Sequence, residues 1–121
     1  MTGSVDLTDL RSMTDGDAEM ERALFAAFYA ASEAAFSLMA DHCTDAPDEV
    51  WRANAHAIKG SAYNLGAKTL GDLCRQAQEN PGASRRDKQA LLEKIASEYA
   101  AVKATLQTVH GSTDADYTPS E

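Results

Sequence analysis

Three residues of this chain have types and a spacing that could do chemistry: His56, Lys59 and Gly60. A histidine offers a nitrogen nucleophile, and an imidazole, with a reference pKa near 6.5, keeps one nitrogen unprotonated in much of its population at neutral pH. On a helix, a lysine three residues on reaches the same surface patch. A glycine four residues on removes the side chain that would crowd the ring from the next turn. It does so at a cost of about 1 kcal/mol in helix stability relative to alanine. Transfer of a phosphoryl group to a side chain needs an unprotonated nitrogen, in-line access and positive charge for the transferred oxygens. These three residues supply all of that. Each also has a bland reading. An exposed histidine is usually only solvated, a lone lysine is more often a surface solubiliser, and a mid-helix glycine more often marks close helix packing.

The element that must position them is a helix predicted over residues 48–65, ending at Gly66 as a C′ glycine. At about 100° per residue, Val50, Trp51, Asn54, Ser61, Ala62 and Leu65 fall within roughly 80° of Ile58 and form the predicted buried face. His56 lies at roughly 160°, on the outer face with Arg52, Ala53, Lys59, Gly60 and Tyr63. That placement weakens the packing reading of Gly60.

Four more helices are predicted around it. A short one spans 6–13, with Asp6 as N-cap and Leu7, Leu10 and Met13 a turn apart. After Asp15-Gly16-Asp17, a second spans 17–42. Its expected core face is Leu24, Phe28, Ala31, Ala35 and Met39, with Phe25, Ser32 and Phe36 beside it. Asp45-Ala46-Pro47 separates it from the His56 helix. The fourth helix, 67–80, turns Leu70, Leu73, Cys74 and Ala77 inward and stops at Asn80-Pro81-Gly82. The fifth opens on a capping-box-like Ser84 and Asp87 and carries a seam of Leu92, Ile95, Tyr99, Val102, Leu106 and Val109. No segment alternates like a strand. Short loops imply an all-α, up-down antiparallel four-helix bundle with a short extra N-terminal helix. The expected domain covers 1–110, and the polar, aperiodic 111–121 is expected to be a disordered tail.

The charge is uneven. The formal net charge is −8, yet residues 49–75 hold Arg52, Lys59, Lys68 and Arg75 against only Glu49 and Asp72. The only net-positive stretch therefore surrounds His56. So acidic a chain is a poor nucleic-acid binder. Cys43 and Cys74 have no metal-ligand spacing and read as small, reduced side chains. His42 and His110 sit at predicted helix ends, where dipole or solvent contacts suffice. There is no Gly-rich phosphate loop, so no ATP site is expected. With no signal peptide, and no stretch approaching the roughly 20 apolar residues of a membrane span, the expected compartment is the cytoplasm.

The run His56-Ala57-Ile58-Lys59-Gly60-Ser61-Ala62-Tyr63-Asn64-Leu65-Gly66 closely resembles the histidine-containing phosphotransfer (HPt) family. Its pattern is His, any, aliphatic, Lys, Gly, small, small, two variable, aliphatic, Gly. Every constrained position matches, and the resemblance extends over about 6–109. It implies that His56 is the phosphorylated residue, that Lys59 contacts the phosphoryl oxygens and that Gly60 keeps the ring accessible. Gln78 falls where some members place a glutamine that hydrogen-bonds the imidazole, with Gln76 close by.

The resemblance implies a phosphocarrier without a kinase domain of its own. It would exchange phosphoryl groups with aspartyl residues of response-regulator receiver domains, a hybrid sensor kinase's included. No cofactor is expected on the chain; Mg²⁺ would come with the receiver. The expected docking patch is Arg52, Ala53, Tyr63 and Arg75 around His56, on a monomer with no membrane partner. The alternative is an HPt-like scaffold or phosphate sink without productive onward transfer. A helical adaptor in which His56 is incidental is the third reading, and the His56–Gly66 pattern speaks against it.

Overall fold

Local rules set most helix boundaries in the computed structural model, which describes residues 3–42 and 48–109. The helices are α1 (Thr8–Thr14), α2 (Ala18–His42), α3 (Asp48–Leu65), α4 (Lys68–Glu79) and α5 (Arg85–Val109). Cys43, the Asp45–Pro47 break, His110 and the 111–121 tail lie outside the described residues, as does the side chain of His42. The Asp17 carboxylate accepts from the amides of Glu19 and Met20 at 3.0 and 3.1 Å and so caps α2. The Ser84 hydroxyl accepts from the Asp87 amide at 3.1 Å and caps α5. Helix α3 keeps its predicted bounds. It closes in a Schellman turn, with Gly66 N–H donating to Tyr63 O and Ala67 N–H to Ala62 O.

Helix α1 starts two residues later than predicted, and Asp6 is not its N-cap. Leu7 holds that position without a side-chain bond. Asp6 instead closes a turn ahead of the helix, its carboxylate taking the Thr8 amide at 3.0 Å and the Thr8 hydroxyl at 2.6 Å.

The four long helices touch in a ring: α2 with α3, α3 with α4, α4 with α5, and α5 with α2. Helices α3 and α4 run antiparallel, since the Trp51 indole donates to Ala77 O at 2.9 Å while Tyr63 further along meets Asp72. The core is built from Trp51, Ala55, Ile58, Ala62, Leu65, Leu70, Cys74, Ala77, Ile95, Val102 and Leu106, with Phe25, Phe28, Ala35 and Met39 from α2. The result is an all-α bundle, with α1 lying against α2 and α3.

Two predicted faces are rotated. On α2 the buried stripe is Glu21, Phe25, Phe28, Ser32, Ala35 and Met39, so Leu24 and Ala31 face outward. Glu21 can be inside because it accepts the Thr14 hydroxyl at 2.9 Å and lies 3.5 Å from Arg11 Nε. On α3 the buried arc is turned by roughly 40° toward Ala55, leaving Val50, Asn54 and Ser61 half-buried. Met13 on α1, expected inside, is 73% exposed.

One further expectation fails. Residues Ala18–Ala40, with a mean hydropathy of 1.4 over an 18-residue window, are long and apolar enough to cross a membrane by length and composition. Alanine content raises that value; here the helix supplies Phe25, Phe28, Ala35 and Met39 to the core.

Residues 3–7 form a strap across one end of the bundle. The Gly3 amide donates to the buried Glu98 carboxylate at 2.8 Å, and the Asp6 amide donates to Gly66 O at 2.9 Å.

Candidate functional site

The outer face of α3 is set by its inner one. Trp51, Ala55, Ile58, Ala62 and Leu65 are buried, so His56 and Ala53 are turned to solvent. Neither His56 nor Lys59 makes a side-chain hydrogen bond or ion pair among the described residues. A Cβ added at Gly60 would meet nothing within 4 Å among the described residues. The three residues thus share an open surface: a free imidazole, a lysine one turn on, and a gap where a side chain would stand.

The other predicted site residues fall into two groups. Arg52 is on the same helix, but its guanidinium is engaged by both oxygens of Glu49. That pairing raises the Arg52 pKa and holds the Glu49 carboxyl below its usual range. Much of the positive charge attributed to Arg52 is therefore answered within α3. Tyr63, two turns beyond His56, and Arg75 on α4 line a cavity of about 500 Å³ with Asp6, Asp9, Gly66, Lys68 and Asp72.

Gln78 makes no bond to His56. Its amide oxygen is buried and has no hydrogen-bond partner among the described residues. The helix register nonetheless brings the two residues level. A Cβ at Gly71 would lie 2.4 Å from the Tyr63 ring, so residues 63 and 71 are opposed. Stepping seven residues in opposite directions along the antiparallel pair sets 56 against 78.

A second surface adjoins the first and was not foreseen. Leu10, Met13, Leu24, Ala27, Phe28, Ala31, Tyr63 and Leu65, with the more polar Asp9, Ser61 and Asn64, line an apolar groove of about 580 Å³ between α1, α2 and α3. Met13, Leu24 and Tyr63 are exposed large side chains in it, and Met20 is exposed nearby on α2. The signal available was the conflict on α2 between two overlapping stripes. An apolar count favours Leu24 and Ala31 as core, and only the partners of Glu21 reverse that choice.

No group of three or more His, Cys, Asp or Glu side chains among the described residues could hold a metal ion. Cys74 is buried, and desolvation pushes its thiol up to about 12.

A family model described as the Hpt domain matches residues 10–110. No curated protein and no solved structure matches the chain.

Proposed function

The chain belongs to the Hpt domain family, which carries phosphoryl groups on histidine in phosphorelays and works with response-regulator receiver domains, and from that premise we propose that His56 is the residue that accepts and donates the phosphoryl group. The observation that carries this reading is the solvent-facing His56 beside the open space over Gly60. In the forward step the lone pair of one ring nitrogen attacks the phosphorus of a receiver's aspartyl phosphate. The P–N bond forms, the P–O bond to the aspartyl carboxyl breaks, and the carboxylate leaves; the proton on the other ring nitrogen stays. Return transfer reverses these events. Lys59 offsets charge on the transferred oxygens.

Gln78 is the proposed orienter. A buried amide oxygen without a partner is costly. An imidazole N–H turned toward Gln78 would satisfy it, and would aim the other nitrogen outward.

The receiver is proposed to lie over the outer face of α3, against Ala53, Tyr63 and Arg75 with Arg52 at the rim, and to reach the apolar groove beside Leu24 and Met13. It brings its own Mg²⁺ in an acidic pocket. The domain acts as a monomeric carrier and not as a kinase, and we place it in the cytoplasm, where a free buried thiol such as Cys74 fits the redox state.

The test is incubation with an aspartyl-phosphorylated receiver, followed by assay for acid-labile label. His56→Gln is expected to fold normally and take no label. Label on that variant, or mapped to His42 or His110, would refute the assignment. Label that enters His56 but is never passed to a second receiver would identify a phosphate sink.

A further inference from the structure

Tyr63 sits in a seat that ordinary helix packing does not require. Its ring occupies the space where residue 71 would carry a side chain: a Cβ there would stand 2.4, 2.5 and 2.9 Å from Cε1, Cδ1 and Cζ. Gly71 is buried within α4, where glycine costs about 1 kcal/mol relative to alanine. Beyond the ring, the Tyr63 hydroxyl donates to Asp72 Oδ1 at 2.5 Å, and Lys68 Nζ donates to Asp72 Oδ2 at 2.9 Å. Seat and tether fix both side-chain torsions of a tyrosine that stays 37% exposed. The ring forms part of the wall of two recesses, the apolar groove toward α2 and the charged cavity that holds Arg75.

A staple between α3 and α4 is the plain structural explanation, and it does not account for the arrangement. Hydrogen bonds and ion pairs among exposed groups such as Lys68 and Asp72 add little to stability. Alanine at 71 with a smaller residue at 63 would pack the same two helices without the cost of glycine. What the arrangement secures is a rigid, part-exposed aromatic ring at a fixed place. That place is seven residues from His56, roughly 10 Å along the helix. A protein partner covering a standard patch of about 800 Å² centred on His56 would extend roughly 16 Å from it. The ring therefore lies inside the footprint of a partner whose patch is centred on His56. Ordered aromatic side chains in such positions carry a large share of binding energy, because the partner does not have to immobilise them.

We propose that Tyr63, seated over Gly71 and tethered by Asp72, is the residue by which this domain discriminates among receiver partners. This rests on the reading of His56 as the phosphoryl carrier. A receiver that lays an apolar or aromatic side chain on the ring is favoured. One that sets an unpaired carboxylate there is rejected, because the ring desolvates that negative charge without answering it. Tyr63 acts on recognition and leaves the chemistry at His56 to His56 and Lys59.

The experiment uses a panel of purified receiver domains charged on aspartate by acetyl phosphate, with phosphoramidate as a donor that has no docking surface. Phosphoramidate delivers its phosphoryl group to the imidazole nitrogen as its P–N bond breaks and ammonia leaves. For Tyr63→Ala, KM for the preferred receiver is expected to rise about tenfold or more, the scale of an aromatic hot spot. The kcat is expected to stay within about twofold, the margin between preferred and other receivers to shrink, and labelling by phosphoramidate to stay unchanged. Tyr63→Phe keeps the ring and loses the tether, and is expected to raise KM by only a few fold. Receiver affinity is measured on the same variants by calorimetry, and folding by thermal melts. An unchanged receiver preference in a folded Tyr63→Ala would overturn the proposal. So would an equal loss with receiver and phosphoramidate, which would reduce Tyr63 to a staple. Absence of label on wild-type His56 from every donor would instead sink the carrier reading, and the binding series would still decide the role of Tyr63.

Discussion

Gly60 and Gly66 lie six residues apart in one motif, and the space around them is opposite. A Cβ at Gly60 meets nothing within 4 Å. A Cβ at Gly66 would come within 1.8 Å of Asp6 O, on a backbone with φ +90°. One glycine stands beside empty space and the other beside filled space. The filled one answers to the fold: it ends α3, bonds the N-terminal strap through its carbonyl, and leaves no room for even a methyl group. The empty one has no neighbour among the described residues to justify it, which fits a surface reserved for a partner. A short sequence motif thus mixes two kinds of constraint, and only the packing around each residue separates them.

The largest effect is expected at the filled end. Gly66→Ala should destabilise the bundle by about 3 kcal/mol or more. A left-handed conformation costs a side-chain-bearing residue about 1–2 kcal/mol, and the strap or the end of α3 must shift to clear the clash. Thermal or urea unfolding measures it. A loss below about 1 kcal/mol would mean that the strap yields freely and that the contrast between the two glycines is weak.

At the empty end a bulky side chain should do the reverse. Gly60→Gln is expected to leave stability within about 0.5 kcal/mol of wild type or improve it, since glutamine is the better helix former. Transfer from a charged receiver should nevertheless fall by at least about tenfold, because the side chain stands where the receiver must approach His56. Equal transfer rates would show that the space over Gly60 is not the route of approach. Gly60→Ala sharpens the same comparison at smaller scale. It should stabilise the domain by about 0.5–1 kcal/mol, where the same change at Gly66 is ruinous. A melt that shows both alanine variants destabilised would break the distinction.

How much of this could be read from the sequence follows the range of the forces. The bounds of α3 were legible because the signals that start and end it, through Gly66, are local. So was the outward turn of His56, which needs only the helical period and the apolar residues opposite. The α2 face departs from the expected one because Glu21 looks polar and yet lies inside, which turns Leu24 and Ala31 outward. The burial of Glu21 depends on Thr14 and Arg11, which belong to another helix. The strap could not be foreseen, since its anchor at Glu98 is 95 residues from Gly3. The seat at Gly71 required the register between two helices. Gln78 was located by resemblance, and its unpartnered oxygen is the observation that keeps it a candidate.

The smallest effect on stability, and the finest test of the comparison, concerns Lys59. It lies between the two glycines in character: half-buried at the open end, with no ion pair among the described residues. If the open end is built for a partner, removing its charge should hardly touch the fold. Lys59→Ala is therefore expected to change stability by less than about 0.5 kcal/mol, the usual range for a surface substitution without a specific partner. The transfer step should respond more. The transferred group carries negative charge on three oxygens, and a cation positioned for them stabilises that charge most where water is excluded by the docked receiver. A loss of one to a few kcal/mol in barrier corresponds to a slowing of roughly five- to several-hundredfold. Single-turnover transfer from a charged receiver, with receiver in excess so that docking is saturated, isolates that step from association. A slowing that vanishes at saturation would place Lys59 in encounter alone. An unchanged rate throughout would mean that the receiver supplies all the positive charge the oxygens need, and the open end would then be reserved for access only.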